Sequence, residues 1–355
     1  VNVLSYYIIR EVTKGALLAL LLLLTLFNLF TFSDELKDLG NGNYGLKQVL
    51  WYLVLTSPRV TFELIPSAAL LGSLFVVGAM ANNREIVAMR AAGFSTFWII
   101  RNIMLAGLIL VVLAVAIGEL VAPASERTAQ VLKTTAQNNG VVLRSQYGMW
   151  LREGNRFINV RKILDDGSLG DVRIFEIDEQ HRLISATRAA HGIFLGEQRW
   201  TLQNAAVSIF NPDRVDAKSQ AEMPWQSGID ADLLKVAVVN SDNLSLYDLY
   251  MYIDFLNANQ QKAQRYELAF WSRLINPWVT FVMLMVSVPL VIGIGRGIGA
   301  GGRITLGVLI GMTFNILDRI VGHMGLIYDV NPMLIAVMPS LTVFLIATAT
   351  VWRLS

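Results

Sequence analysis

The chain has 355 residues, 54% hydrophobic and only 16% charged, against about 25% charged in an average soluble domain, which points to a membrane protein. Its 29 Lys and Arg against 27 Asp and Glu leave a net charge of +2, distributed loop by loop rather than in one basic stripe, which excludes nucleic-acid binding. There is no cysteine, so disulfides, thiolate zinc sites and cysteine nucleophiles are excluded as well.

The first apolar run, Gly15 to Ser33, follows Arg10, Glu11 and Lys14 and lacks a small-residue cleavage motif, so it reads as a retained anchor. Further runs follow at Leu64 to Ala81 and Phe97 to Val121. The last three are Leu274 to Ile294, Ile304 to Ile327 (interrupted by Asp318 and Arg319) and Pro332 to Trp352. Each is near the roughly 20 residues a helix needs to cross a hydrocarbon core of about 30 Å. Backbone groups in lipid must be satisfied within the segment, so runs this apolar are helices and a barrel is excluded.

Lys and Arg set the orientation. Arg10, Lys14, Arg84, Arg90, Arg296, Arg303 and Arg353 fall on one side, while Asp34, Glu35, Lys37, Asp38, Lys47 and Asp329 fall on the other. Both termini are therefore expected to be cytoplasmic and the large domain to lie outside, which is the periplasm if the family resemblance given below holds. Between spans three and four, "RFINVRKILDDGSLGDVRIFEI" and "RLISATRAAHGIFLGEQRWTLQNAAVSIF" are rich in β-branched and aromatic residues and punctuated by Gly. They predict an antiparallel all-β domain of sandwich or jelly-roll type. Leu246, Leu249, Tyr250, Ile253 and Leu256 then recur at helical spacing. The expected fold is an α-helical membrane protein with six transmembrane helices and an inserted all-β domain of sandwich or jelly-roll type, which the family resemblance given below narrows to a jelly roll. Its expected divisions are 1–122 for spans one to three with a helix at 84–94, 123–243 for the β domain, 244–266 for a connecting helix, and 267–355 for spans four to six.

Few motifs carry chemistry. "GIGRGIGAGGR" at 293–303 contains a G-x-G-x-x-G, but it follows a membrane span instead of a strand and lacks the Lys-Ser/Thr pair of a phosphate loop, so it reads as a cytoplasmic turn. His181, His191 and His323 are scattered and read as structural; no metal site, cofactor or catalytic constellation is expected. Arg59 and Glu63, Glu119, Arg273, and Asp318 with Arg319 lie at or within the spans. Such residues face a cavity or pair with one another, although each Arg taken singly has snorkelling to the interface as an equal alternative. Gly307 and Gly311 form a G-x-x-x-G that permits close helix approach.

"NNREIVAMRAAGFS" at 82–95 is a polar island between two apolar runs. On a helix, Ile86, Val87, Met89 and Phe94 spread over one side with Arg90 among them and Glu85 at the edge, and Gly93 is placed to stop it. Such a knob suits a partner's groove, whereas the plain alternative is a positive-inside turn resting on headgroups.

Three stretches, "PSAALLGSLFVVGAMANNREIVAMRAAGFS" at 66–95, "RYELAFWSRLINP" at 265–277 and "LDRIVGHMGLIYDVNP" at 317–332, resemble the LptF/LptG permeases that extract lipopolysaccharide from the bacterial inner membrane. The resemblance runs nearly end to end and is strongest to the LptG type. It implies a non-enzymatic permease of an ABC transporter that passes lipopolysaccharide to a periplasmic bridge. The implied partners are an LptF-type homologue, an LptB-type ATPase dimer, and LptC-type and LptA-type bridge proteins. It also implies that Arg84, Glu85, Ile86, Met89, Arg90 and Phe94 belong to a coupling helix docking on the ATPase. A lipid cavity lined by the first, second and fifth spans would draw its wall from Leu26, Phe30, Phe62, Leu70, Phe75, Ile310 and Phe314. Lys37, Lys47, Arg59 and Arg319 would meet lipid phosphates at its rim. "NLFTFSDELK" has Thr31 and Phe32 where LptG proteins can carry a Lys, so the rim here rests on other residues. The competing class is a membrane-anchored periplasmic receptor or scaffold, which six spans with interior charge do not suit.

Overall fold

A computed structural model describes residues 3–138, 141–164, 167–196, 198–228, 241–291 and 300–354. The chain forms two compact units, Val1–Ser33 with Leu53–Glu126 and Gln264–Ser355, and Asp34–Tyr52 with Arg127–Ala263. The Gly-rich turn expected at 293–303 lies outside the described residues as far as residue 299.

The helices in chain order are α1 (Val3–Glu35), α2 (Leu46–Asn82), α3 (Glu85–Ala91), α4 (Thr96–Val115), a π-helical turn (Ala116–Val121) and α5 (Ala122–Asn138). After the strands come α6 (Leu246–Ala258), α7 (Gln264–Pro289), α8 (Ala300–Ile327) and α9 (Pro332–Leu354). Among the described residues, six helical stretches are long and apolar enough to cross a membrane, matching the six apolar runs. Several extend well past those runs. The second begins at Leu46 instead of Leu64, and the third continues to Gln137, so residues 123–138, expected in the β domain, are helical.

Two features support α2 at a proline and at a charge along its length. Pro66 has no N–H to give the Phe62 carbonyl one turn back, and the Asn276 side-chain amide from α7 donates to that carbonyl at 3.3 Å. The charge of Arg59 is met by Glu63 at 2.7 Å and Glu126 at 3.1 Å. One apolar core joins the helices, built from residues such as Val12 and Ala16 of α1, Ile65 and Leu74 of α2, Ile103 and Leu110 of α4, and Met283 and Leu284 of α7. Helices α1 and α2 come close at Gly72, where a Cβ would stand 2.3 Å from the Ala16 nitrogen. The expected small-residue approach in α8 occurs at Gly307, whose Cβ would meet Leu74 at 2.5 Å.

The other unit holds one six-stranded antiparallel sheet in simple meander order, β1 (Val141–Glu153), β2 (Arg156–Leu164), β3 (Leu169–Ile177), β4 (Leu183–Gly196), β5 (Arg199–Phe210) and β6 (Val215–Gln226). An antiparallel β region is what the sequence predicts. The imperfect alternation has a structural cause. Buried residues in a regular strand recur every second position, yet four neighbouring strands each contain one interval of three: Val160 to Ile163, Val172 back to Leu169, Ala189 to Gly192, and Leu202 to Ala205. Register aligns these intervals, since Val160 pairs with Val172 and Val172 with Ala189, while Ile163, Leu169, Gly192 and Leu202 follow one another across the next row. A seam therefore crosses the sheet. Asp171 and Asn204 on it have φ of 49° and 51°, the left-handed region that Asp and Asn tolerate best among non-glycine residues. The inversion keeps both halves of the sheet facing one core, with Ile158, Val160, Leu169, Trp200 and Leu202 all in the same cluster. Phe255 of α6 packs against that cluster, and α6 itself starts in a capping box between Ser245 and Asp248.

Candidate functional site

The polar island folds as a short helix with a defined start and stop. Arg84 precedes α3 with φ of 59°. At the other end the Gly93 N–H donates to the Arg90 carbonyl and the Phe94 N–H to the Met89 carbonyl, at 3.0 and 3.1 Å. That pair of bonds, with Gly93 at φ 91°, is a Schellman stop. Ile86 and Met89 turn inward and are buried in the helical core, and Phe94 packs on it beside Trp98 with ring centroids 4.4 Å apart. The exposed face consists of Arg84, Val87, Ala88 and Arg90. Glu85 accepts hydrogen bonds from the Tyr7 hydroxyl at 3.0 Å and the Asn83 amide at 3.3 Å, so it braces α3 against α1. The apolar side of the knob is thus its anchor, and what it presents is two cations around a valine.

The ionisable residues of the helical unit pair across long sequence separations. Arg273 of α7 is buried, its side chain only 7% exposed, and its Nε donates to Glu119 at 2.6 Å. A second guanidinium nitrogen donates to the Gly118 carbonyl, and the group lies 5.2 Å from the Phe62 ring centroid. Glu119 and Gly118 both belong to the π-helical turn, where an extra residue leaves carbonyls off the regular α-helical pattern. Arg273 therefore supplies a donor where the helix lacks one. Nearby in the same unit, a cavity of about 70 Å³ is lined by Glu63, Asn276, Phe314, Asn315 and Asp318 among others.

The expected cavity wall divides. Leu26, Phe30 and Phe75 are exposed, Ile310 and Phe314 are half-buried against the core, and Phe62 and Leu70 are buried inside it. Among the expected rim cations, Lys37 pairs with Asp34 at 2.8 Å and Arg59 is held between two carboxylates, whereas Lys47 and Arg319 are exposed. Sequence reading missed Asn276 and Glu126, which complete the surroundings of Pro66 and Arg59. It also missed Lys133, which binds Glu35 at 2.8 Å and Asp38 at 3.0 Å, with the Tyr44 hydroxyl donating to the same Glu35 at 2.8 Å. Asn276 carries the signal of a polar residue in an apolar helical run, whereas Glu126 and Lys133 lie in the polar helix α5 and carry none.

Residues 6–354 match the family of lipopolysaccharide export system permeases LptF/LptG. The lipopolysaccharide export system permease protein LptG of Escherichia coli is 32% identical over 356 residues, covering 100% of this chain and 99% of its own. The protein of the same name from Haemophilus influenzae is 31% identical over 342 residues, 96% of each chain.

Proposed function

This chain belongs to the LptF/LptG family of lipopolysaccharide export permeases, and from that premise we propose that it is the non-catalytic membrane subunit of an ABC transporter that lifts lipopolysaccharide from the outer leaflet of the inner membrane. In this reading both termini are cytoplasmic and residues 123–243 are periplasmic, with the antiparallel sheet curling as a jelly roll that passes lipid to a bridge of LptC-type and LptA-type proteins. Residues 244–266 return the chain to spans four to six, after spans one to three in 1–122. An LptF-type homologue completes the cavity, and an LptB-type ATPase dimer drives it. The outward side chains Leu26, Phe30 and Phe75, with Ile310 and Phe314, form this chain's share of an acyl-chain wall, and Arg319 meets a lipid phosphate.

The observation that carries the reading is the build of α3. A seven-residue helix with a left-handed start and a Schellman stop is fixed by Ile86 and Met89 below and offers Arg84, Val87 and Arg90 above. A membrane-retention loop needs positive charge but not a braced, rigid knob; a groove in an ATPase does. Through the bond between Tyr7 and Glu85, movement of α3 would pull on α1 directly. The test is reconstitution of the full assembly with Glu85→Lys in this chain. ATP hydrolysis should persist while lipopolysaccharide release falls. Release at the unmodified rate would sink the coupling role, and failure of the unmodified chain to co-purify with any ATPase would sink the transporter reading itself.

A further inference from the structure

The polar side of the sheet seam carries a feature that the transport reading does not use. Asp171 sits on the seam with Arg188 at 3.1 Å, Arg161 at 3.4 Å and Arg173 at 3.5 Å, three guanidinium groups around one carboxylate. The Nε atoms of Arg161 and Arg173 are buried and make no hydrogen bond among the described residues; both residues pair with Asp171 and are not part of the lining of the neighbouring cavity. Next to this cluster a cavity of about 580 Å³ opens, with Lys162, Asp171, Arg188, Ala190, His191 and Asn204 among its lining. Its shape follows from the register. Lys162 and His191 flank Gly170 directly, and the Lys162 side chain packs over the space a Gly170 side chain would take.

We propose that this cavity is a binding site for a phosphomonoester carried on a sugar. The charge fits: Lys162 and Arg188 supply cations that phosphate oxygens bind well, and Arg161 and Arg173 offset the single carboxylate behind them. Asp171, Asn204 and His191 offer acceptors and donors for ring hydroxyls, and the volume lies in the usual small-molecule range of roughly 300 to 1,000 Å³. An acyl chain is the wrong occupant, because the apolar face of the sheet is turned to the core on the other side. The phosphate comes either from the headgroup of a phosphorylated glycolipid or from a soluble sugar phosphate. The site stands on the geometry of the sheet alone, so it can fail while the transport reading holds.

The experiment uses the full chain in detergent micelles, titrated with glucose 6-phosphate and with glucose, and read by phosphorus and proton NMR. Saturable binding of the phosphate ester alone is expected, weakening with added salt as exposed ion pairs do. Lys162→Gln with Arg188→Gln, both at exposed positions, should weaken it by at least about tenfold. Ala190→Leu, which adds bulk to the lining and leaves every charge in place, should weaken it as well. Displacement of the sugar phosphate by lipopolysaccharide assigns the site to a lipid headgroup; its retention assigns the site to a soluble ester. No saturable binding of glucose 6-phosphate, or binding by the double variant and by Ala190→Leu as strong as that of the unmodified chain, would overturn the proposal.

Discussion

Replacing Arg273 by Met tests how the π-helical turn is held. The substitution keeps much of the side-chain volume but takes away the cation that Glu119 meets at 2.6 Å and the donor to the Gly118 carbonyl. Removing one partner of a buried pair costs about 3–5 kcal/mol, and because the Glu119 side chain keeps 23% of its exposure, some hydration persists and the lower end, about 3 kcal/mol, applies. Glu119→Gln leaves Arg273 with the carbonyl, the Phe62 ring face and a neutral amide, so about 1–2 kcal/mol is expected. In the double variant neither charge is stranded. Its loss should be near about 2 kcal/mol rather than the sum of the singles, a coupling of roughly 2–3 kcal/mol. At about 2 °C per kcal/mol for a large chain, Arg273→Met should lower the thermal midpoint in micelles by about 6 °C, with the second change restoring part of it. Additive losses across the cycle would refute the reasoning, because they would mean that each group acts without the other.

Gly72→Ala should lower the thermal midpoint by the roughly 1–3 kcal/mol typical of overpacking, since the added methyl meets the backbone of Ala16 and no rotamer change can relieve it. Gly301→Ala in α8, where nothing lies within 4 Å, should be neutral or stabilising by up to about 1 kcal/mol; equal losses for the two would contradict the contact geometry. Asp171 gives an acid-side prediction. Burial opposes its charged form, but the charges of Arg173 and Arg188 and their hydrogen bonds override this and hold its carboxyl below the usual carboxylate range. A folded value below the unfolded one stabilises the fold fully above about pH 4 and is lost as pH falls through the folded value. Thermal midpoints of Asp171→Asn should accordingly depend less on pH below about pH 4 than those of the unmodified chain, and parallel curves would refute this.

Hydropathy and loop charge make six spans legible because lipid imposes its demand locally, on each run of residues by itself. The supports of α2 are legible only in pairs. Pro66 lies inside the second run with no local sign of what replaces its missing N–H until Asn276 is beside it, and Arg59 reads as a boundary until Glu126 is, and neither partner is close in sequence. The polar island shows the same limit in finer form. Helical spacing puts Ile86 and Met89 on one face with Arg90 nearby, but spacing does not say whether that face meets a partner or the chain's own core. Packing against α1 and α4 decides it. In the sheet, Asp171 and Asn204 look like ordinary polar residues in strands, and their left-handed backbone is written in no local signal that separates them from other Asp and Asn.

The seam across the sheet bears on how the strands find their partners. In a regular antiparallel sheet a slip of one residue turns every side chain to the wrong face and is penalised at once, but a slip of two restores the faces and so is the error that hydrophobicity cannot see. Here each of four adjoining strands changes its inward parity at one level. A two-residue slip would set the break in one strand against unbroken pleat in the next, driving apolar and charged residues to opposite sides within a single row. The irregularity that blurs the strand pattern in the sequence is thus a registration mark, and it leaves the meander one alignment in which all rows agree.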